Sequence, residues 1–121
     1  MEKKFGEYIK NKRLEKGISL RQMAGKLDIT PSYLSDIEKD RRYAPDKEKI
    51  LTIARILDIH SQELDLLFEL AGKSKDTVPP DLPQYIKENK VVRTLLRTAK
   101  KNNASDEELK ELIKILQKNK R

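Results

Sequence analysis

The sequence predicts an all-α protein: a compact helical domain followed by a helical hairpin. Three features predict it. Apolar residues recur at i, i+3, i+4 and i+7 in segment after segment, which is the spacing of one helix face. Two capping boxes, Ser19 with Gln22 and Ser105 with Glu108, each stand just before such a stripe. A stretch with three prolines, Lys73 to Pro83 (KSKDTVPPDLP), divides the pattern and reads as a partly extended linker. The expected organisation is a domain over residues 1–72, a linker over 73–83 and a hairpin over 84–121.

The first helix is expected from Lys3 to Lys16. Phe5, Ile9 and Arg13 share one face, and Gly17 stops it. Next comes the stretch around which the domain is organised, Ser19 to Lys39. Leu20, Met23, Ala24 and Leu27 make one apolar stripe, and Asp28-Ile29 break it. Thr30 then caps another helix with Pro31 at its first position, where a missing N–H costs nothing. Leu34 and Ile37 give this helix a narrow apolar side. Ser32, Ser35, Asp36 and Lys39 line a different, polar side. Such a face suits the DNA major groove, where base edges present donor and acceptor patterns. The bland reading is ordinary exposed helix residues.

Arg13 stands on an apolar stripe, and Glu38 lies one turn beyond Leu34 on the inner side of its helix. Two misplaced opposite charges suggest a partly buried pair tying the first helix to the third; the alternative is two solvated side chains at their helix ends. Pro45-Asp46 opens a fourth helix with Ile50, Ile53, Ala54 and Leu57 in register. A fifth, starting near His60 or Ser61 with His60 as a cap, carries Leu64, Leu67, Phe68 and Ala71 and is expected to stop at Gly72. Beyond the linker, a short helix starts near Gln84. Val92, Leu95, Leu96 and Ala99 then form one stripe, Asn102-Asn103-Ala104 a turn, and Leu109, Leu112, Ile113 and Leu116 the matching stripe. Two helices of about a dozen residues cannot bury both stripes alone. They must pack on the first domain or on another chain, and the linker favours another chain.

Composition narrows the function classes. The 121 residues suffice for one compact domain and an appendage. There is no Cys and a single His, which excludes disulfides, thiolate metal sites and His-based zinc clusters or triads. No Gly-rich phosphate loop or pocketed carboxylate pair points to an enzyme, and no cofactor or metal is expected. With no long apolar run and no signal-peptide core, the expectation is a soluble, cytoplasmic protein that does not enter a membrane. Net charge is +7 and unevenly spread. Residues 1–45 hold 11 basic and 7 acidic side chains, residues 46–71 hold 3 and 6, and residues 72–121 hold 13 and 7. A basic reading surface favours phosphate contacts; charge alone is equally compatible with a lysine-rich soluble protein.

Residues 5–70 resemble the helix-turn-helix domain of the Cro/CI-like (XRE) transcription regulators. The matching residues are Ile9 and Arg13, then Gly17 to Ala24, then Tyr33 to Glu38 with Arg42, then Pro45 and Ile50 to Leu57. One departure is Asp40, where the family commonly has Gly, so the path of the loop after the third helix is not carried over. The resemblance implies a five-helix domain that reads double-stranded DNA as a dimer, with a salt bridge at the positions of Arg13 and Glu38. It places Ser32, Tyr33, Ser35 and Asp36 toward base edges. Ser19, Arg21, Thr30, Lys39, Arg41 and Arg42 are the candidates around them, chiefly for the DNA backbone. From Leu95 to Leu116 the chain is similar to the multimerisation hairpin of Sin-type repressors. That implies self-association into a homodimer or higher homo-oligomer, and an antagonist protein with a similar hairpin as a further partner. The function expected is a dimeric repressor. The alternative is an antitoxin or adaptor that chiefly binds another protein through the hairpin.

Overall fold

The computed structural model describes residues 3–118. Among them are eight helices and no strand: α1 (Phe5–Glu15), α2 (Leu20–Leu27), α3 (Pro31–Glu38), α4 (Lys47–Leu57), α5 (Gln62–Lys75), α6 (Pro83–Glu88), α7 (Lys90–Lys101) and α8 (Asp106–Lys118). The expected all-α architecture is thus present. The chain divides into two compact units between Pro83 and Gln84.

Local chemistry sets most helix ends in the first unit. Ser19 Oγ accepts from the Gln22 N–H at 3.0 Å while Gln22 Oε1 accepts from the Ser19 N–H at 2.9 Å, so both halves of the box are made. Thr30 Oγ1 accepts from the Tyr33 N–H at 3.1 Å, with Pro31 opening α3. Asp46 caps α4 through the Lys49 N–H. Asp28, Asp58 and Asp76 close α2, α4 and α5 in the left-handed conformation, which a short polar side chain tolerates better than a branched one.

Two expected boundaries are corrected. His60 does not cap α5: Ser61 is its first flanking residue, and exposed His60 instead lies 3.8 Å from Asp58. Nor does α5 stop at Gly72. It runs to Lys75, so Lys73 to Lys75, expected in the linker, are its last turn. Gly72 serves a different need. A Cβ there would lie 2.8 Å from the Thr77 carbonyl oxygen and 2.9 Å from Pro79 N, so glycine lets the following chain fold back against the helix.

The amphipathic stripes converge on one core. Phe5, Ile9, Met23, Leu34, Ile37, Ile50, Ile53, Leu57 and Leu67 are fully buried. Each contributes roughly 1.5–3 kcal/mol relative to exposure. Helix α1 packs on α3, α4 and α5, and α2 packs on α3 and α4. The Ala44 N–H donates to Ser74 Oγ at 3.0 Å, tying the loop after α3 to the end of α5.

The α1/α3 crossing is unusually close at Gly6. A Cβ there would sit 2.1 Å from the Ile37 carbonyl oxygen and 2.7 Å from that of Glu38. The Gly6 N–H, near the otherwise uncapped start of α1, donates to Asp40 Oδ1 at 3.0 Å. Asp40 itself is left-handed, with φ 58°. Aspartate therefore takes the backbone conformation that glycine favours and adds an acceptor that glycine lacks.

In the second unit, Arg93 Nη1 donates to the carbonyls of Ile86 and Lys87 at 2.9 and 2.6 Å, joining the end of α6 to α7. Ser105 and Glu108 form the second reciprocal box, opening α8. Neither α7 nor α8 buries a side chain. Along the expected stripes, Val92 and Ala99 are half-buried, while exposure runs from 37% at Leu109 to 63% at Leu116.

Replacing Gly6 by alanine should lower unfolding free energy by at least about 2 kcal/mol, because backbone and not a flexible side chain must yield. Urea titration of the full chain measures it. An unchanged midpoint would mean that α1 and α3 do not approach this closely.

Candidate nucleic-acid interface

The candidate interface is α3 and the structure that holds it. Its inner side is fixed in three ways. Leu34 and Ile37 are in the core. Glu38 is 6% exposed and accepts from Arg13 Nε at 2.7 Å and Nη2 at 2.9 Å, a two-pronged pair with Arg13 itself 7% exposed. The third prong, Arg13 Nη1, donates to the Ile18 carbonyl at 2.9 Å. One guanidinium thus joins α1, the turn into α2 and the end of α3. The hydrogen bond that Arg13 donates to Glu38 is the main cause that holds the Arg13 pKa above its ordinary value, against the opposing effect of burial.

The α2–α3 turn is fixed from outside. The Ile29 N–H bonds to the Ala24 carbonyl, and Lys49 Nζ on α4 donates to the Leu27 carbonyl at 2.6 Å. A lysine at this point satisfies a carbonyl that the end of α2 leaves open. On the far side of the domain, Lys12 pairs with Glu63 at 2.9 Å, linking α1 to α5. That hydrogen bond is the leading cause raising the Lys12 pKa, while burial raises that of Tyr8 beside it.

The outer side of α3 presents a compact set of polar groups. Ser32 and Lys39 are exposed, and Tyr33, Ser35 and Asp36 are half-buried. Tyr33 rests partly on the core, and the Arg42 guanidinium lies 5.4 Å from its ring centroid, a cation–π arrangement. Arg41 is 4.0 Å from Asp36, a long and solvated ion pair that contributes little to stability. So α3 and its following loop bring Tyr33 to Arg42 and Asp36 to Arg41. Ser19, Arg21 and Thr30 are exposed at the first turns of α2 and α3. The hydroxyl oxygens of Ser19 and Thr30 already accept the capping N–H groups, which leaves each free to donate. No hydrogen bond or ion pair joins Ser19 or Arg21 to the α3 group among the described residues.

Sequence reasoning missed Lys3 and Lys4. With Arg41, Arg42 and Tyr43 they line one cleft of about 770 Å³. No sequence signal could have placed them there, because the α1/α3 crossing brings them together. The set as a whole supplies hydroxyl, carboxylate and phenol groups on one helix face with cations at its C-terminal end. That arrangement can accept and donate to base edges while opposing phosphate charge. Among the described residues there is no His/Asp/Glu group of three or more that could hold a metal, and no helix is long and apolar enough to cross a membrane.

A family model described as helix-turn-helix matches residues 9–64. The HTH-type transcriptional regulator SinR of Bacillus subtilis (strain 168) is 37% identical over 55 residues, 46% of this chain and 50% of that protein. The ImmF control region 10 kDa protein of Bacillus phage phi105 is 40% identical over 57 residues, 47% of this chain and 62% of that one. The chain thus spans about half the length of the SinR relative and somewhat more of the phage protein. A solved SinR protein/SinI protein complex aligns over 93% of this chain and 94% of its own, with 24% identity and a TM-score of 0.46.

The pair beneath the interface carries a definite expectation. Arg13→Met and Glu38→Gln should each destabilise the fold by about 3 kcal/mol, since each leaves a buried charge or an unmatched guanidinium. In the double mutant the losses should be strongly non-additive. Chemical denaturation of the four proteins gives the cycle; additive losses would show that the two groups act independently.

Proposed function

We propose that this chain, which matches a helix-turn-helix family model over residues 9–64, carries the reading domain of a Cro/CI-like (XRE) regulator and is a sequence-specific, double-stranded-DNA-binding transcription repressor working as a homodimer or higher homo-oligomer. The observation that carries this reading is the division of α3 into two sides. Leu34, Ile37 and Glu38 hold it from within, and Ser32, Tyr33, Ser35 and Asp36 face outward beside Lys39, Arg41 and Arg42. In this reading α3 enters the major groove. Asp36 accepts from a cytosine amino group, and Ser32 and Ser35 make adaptable base contacts. Lys39, Arg41, Arg42 and Arg21 oppose phosphates, and Ser19 and Thr30 add neutral donors, so that together they set the register.

Residues 84–121 supply the assembly surface in the same reading. Eight apolar side chains, four on each of two helices and none of them buried, are more than the scattered single leucines of an ordinary surface. A two-fold partner with the same stripes is self-complementary to them. Joining two reading domains makes the second half-site contact intramolecular, which raises avidity roughly 10²–10⁴-fold.

Binding-site selection from random duplex DNA tests the reading helix. Asp36→Ala and Ser35→Ala should change the selected site, each good base contact being worth roughly 1–3 kcal/mol of discrimination. Arg42→Ala should weaken binding to every sequence and lower the salt slope by about 1. If Asp36→Ala selects the same site as the parent chain, the base-reading role assigned to it is wrong.

Assembly is tested by ending the chain at Pro83, which keeps the whole of α5 and the segment folded over Gly72. That chain, and full-length Leu112→Asp, should sediment as monomers and lose most affinity for a two-half-site operator. A truncated chain that stays dimeric would remove the assembly role from residues 84–121. A full-length chain isolated with a stoichiometric foreign protein, and not with itself, would favour the adaptor reading.

A further inference from the structure

Helix α7 has a second face that the assembly role leaves unused. Its sequence, KVVRTLLRTAKK, contains five basic residues and no acidic one. At 100° per residue, Lys90, Arg93, Arg97, Lys100 and Lys101 fall within an arc of about 100°, centred roughly 140° from the apolar stripe of Val92, Leu95, Leu96 and Ala99. Lys90, Arg97, Lys100 and Lys101 are exposed. Among the described residues, none of the five pairs with a carboxylate. Arg93 is half-buried and spends one nitrogen on the end of α6.

This arrangement works against the helix itself. Lys90–Arg93, Arg93–Arg97, Arg97–Lys100 and Arg97–Lys101 are like-charge neighbours at i, i+3 or i, i+4, the spacing at which repulsion is felt. The adjoining helix does the opposite. In α8, Glu107 lies 3.7 Å from Lys110, and Glu111 lies 3.4 Å from Lys114. One arm of the hairpin is charge-compensated and the other is not. An uncompensated cationic ridge on a folded helix is relieved by a polyanion.

We propose that this outer face of α7 is a second, sequence-independent contact to the DNA backbone, separate from α3 and its loop. The proposal rests on the DNA-reading role given above. The face spans about 16 Å along the helix axis, a length over which one DNA strand presents about five phosphates. A basic amphipathic helix of this kind can also lie on an anionic membrane with its apolar stripe in the lipid. In the assembly proposed above that stripe is seated against a second copy, which leaves the cations facing outward, open to DNA. In an assembled regulator this face adds affinity for DNA without adding sequence preference.

The test uses the full chain and a duplex several helical turns long that lacks the selected site. Binding is followed by fluorescence anisotropy between about 50 and 200 mM salt, the range in which phosphate contacts are lost. The variant Arg97→Gln/Lys100→Gln/Lys101→Gln leaves Arg93 and its hydrogen bonds alone and replaces cations with good helix formers. Its slope of log affinity against log salt should be shallower by about 2–3. The charge-keeping variant Arg97→Lys/Lys100→Arg/Lys101→Arg should bind like the parent. Lys110→Gln/Lys114→Gln on α8 should also leave the slope unchanged, and sedimentation should show the same assembly throughout. An unchanged slope in the triple glutamine variant overturns the proposal while leaving the α3 reading intact. Equal losses in the charge-keeping variant also overturn it. So does a loss seen only with phosphatidylglycerol vesicles. A parent chain with no salt-dependent duplex binding at all overturns both readings together.

Discussion

A buried guanidinium–carboxylate pair fixes how α1 and α3 meet. Arg13 reaches from α1 with three nitrogens, two for Glu38 and one for the Ile18 carbonyl. Burying such charges is unfavourable unless geometry is good and the remaining donors are used, and both conditions hold here. A two-pronged pair of this kind adds directional restraint to the apolar packing around it. Leu34 and Ile37 could slide against their neighbours with modest loss of area. A two-pronged bond at 2.7 and 2.9 Å cannot slide without breaking. The end of α3 is therefore held in position while its outer side is left to solvent.

The loop that follows inherits that restraint. Gly6 brings the first turn of α1 against the last carbonyls of α3, and Asp40 closes the gap with a hydrogen bond. Arg41 and Arg42 then emerge from a fixed point and turn back toward Asp36 and Tyr33. The polar face of α3 and the backbone that carries its cations are in this way held to one another. Rigid placement matters for reading base edges, since a hydrogen bond weakens steeply as its angle departs from linearity.

The second unit follows a different principle. Its helices are stabilised by local devices: a capping box at Ser105, an arginine clasp at the end of α6, and ion pairs one turn apart on α8. None of these needs a buried core. The apolar stripes are thereby left exposed, and α7 divides sharply into an apolar side and a cationic side. A unit built so can stay helical while its surfaces remain available.

The sequence by itself determined whatever depends on neighbours three or four residues apart. Both capping boxes, Pro31 at the start of α3, and the stripes of α2, α4, α7 and α8 are local geometry, and the helix period makes them legible. Arg13 and Glu38 were legible for a related reason. Each breaks the apolar pattern of its own helix, and a charge on an inner face calls for a partner. Tertiary structure alone decided the rest. Gly72 looked like a helix stop, yet its missing side chain accommodates Thr77 and Pro79 while α5 continues to Lys75. Asp40 looked like a departure from a glycine, and its role depends on an N–H 34 residues away. Lys3 and Lys4 join the basic loop only because α1 crosses α3 at Gly6. The difference has one physical cause: periodicity fixes which side of a helix a residue occupies, whereas packing decides which distant backbone that side meets.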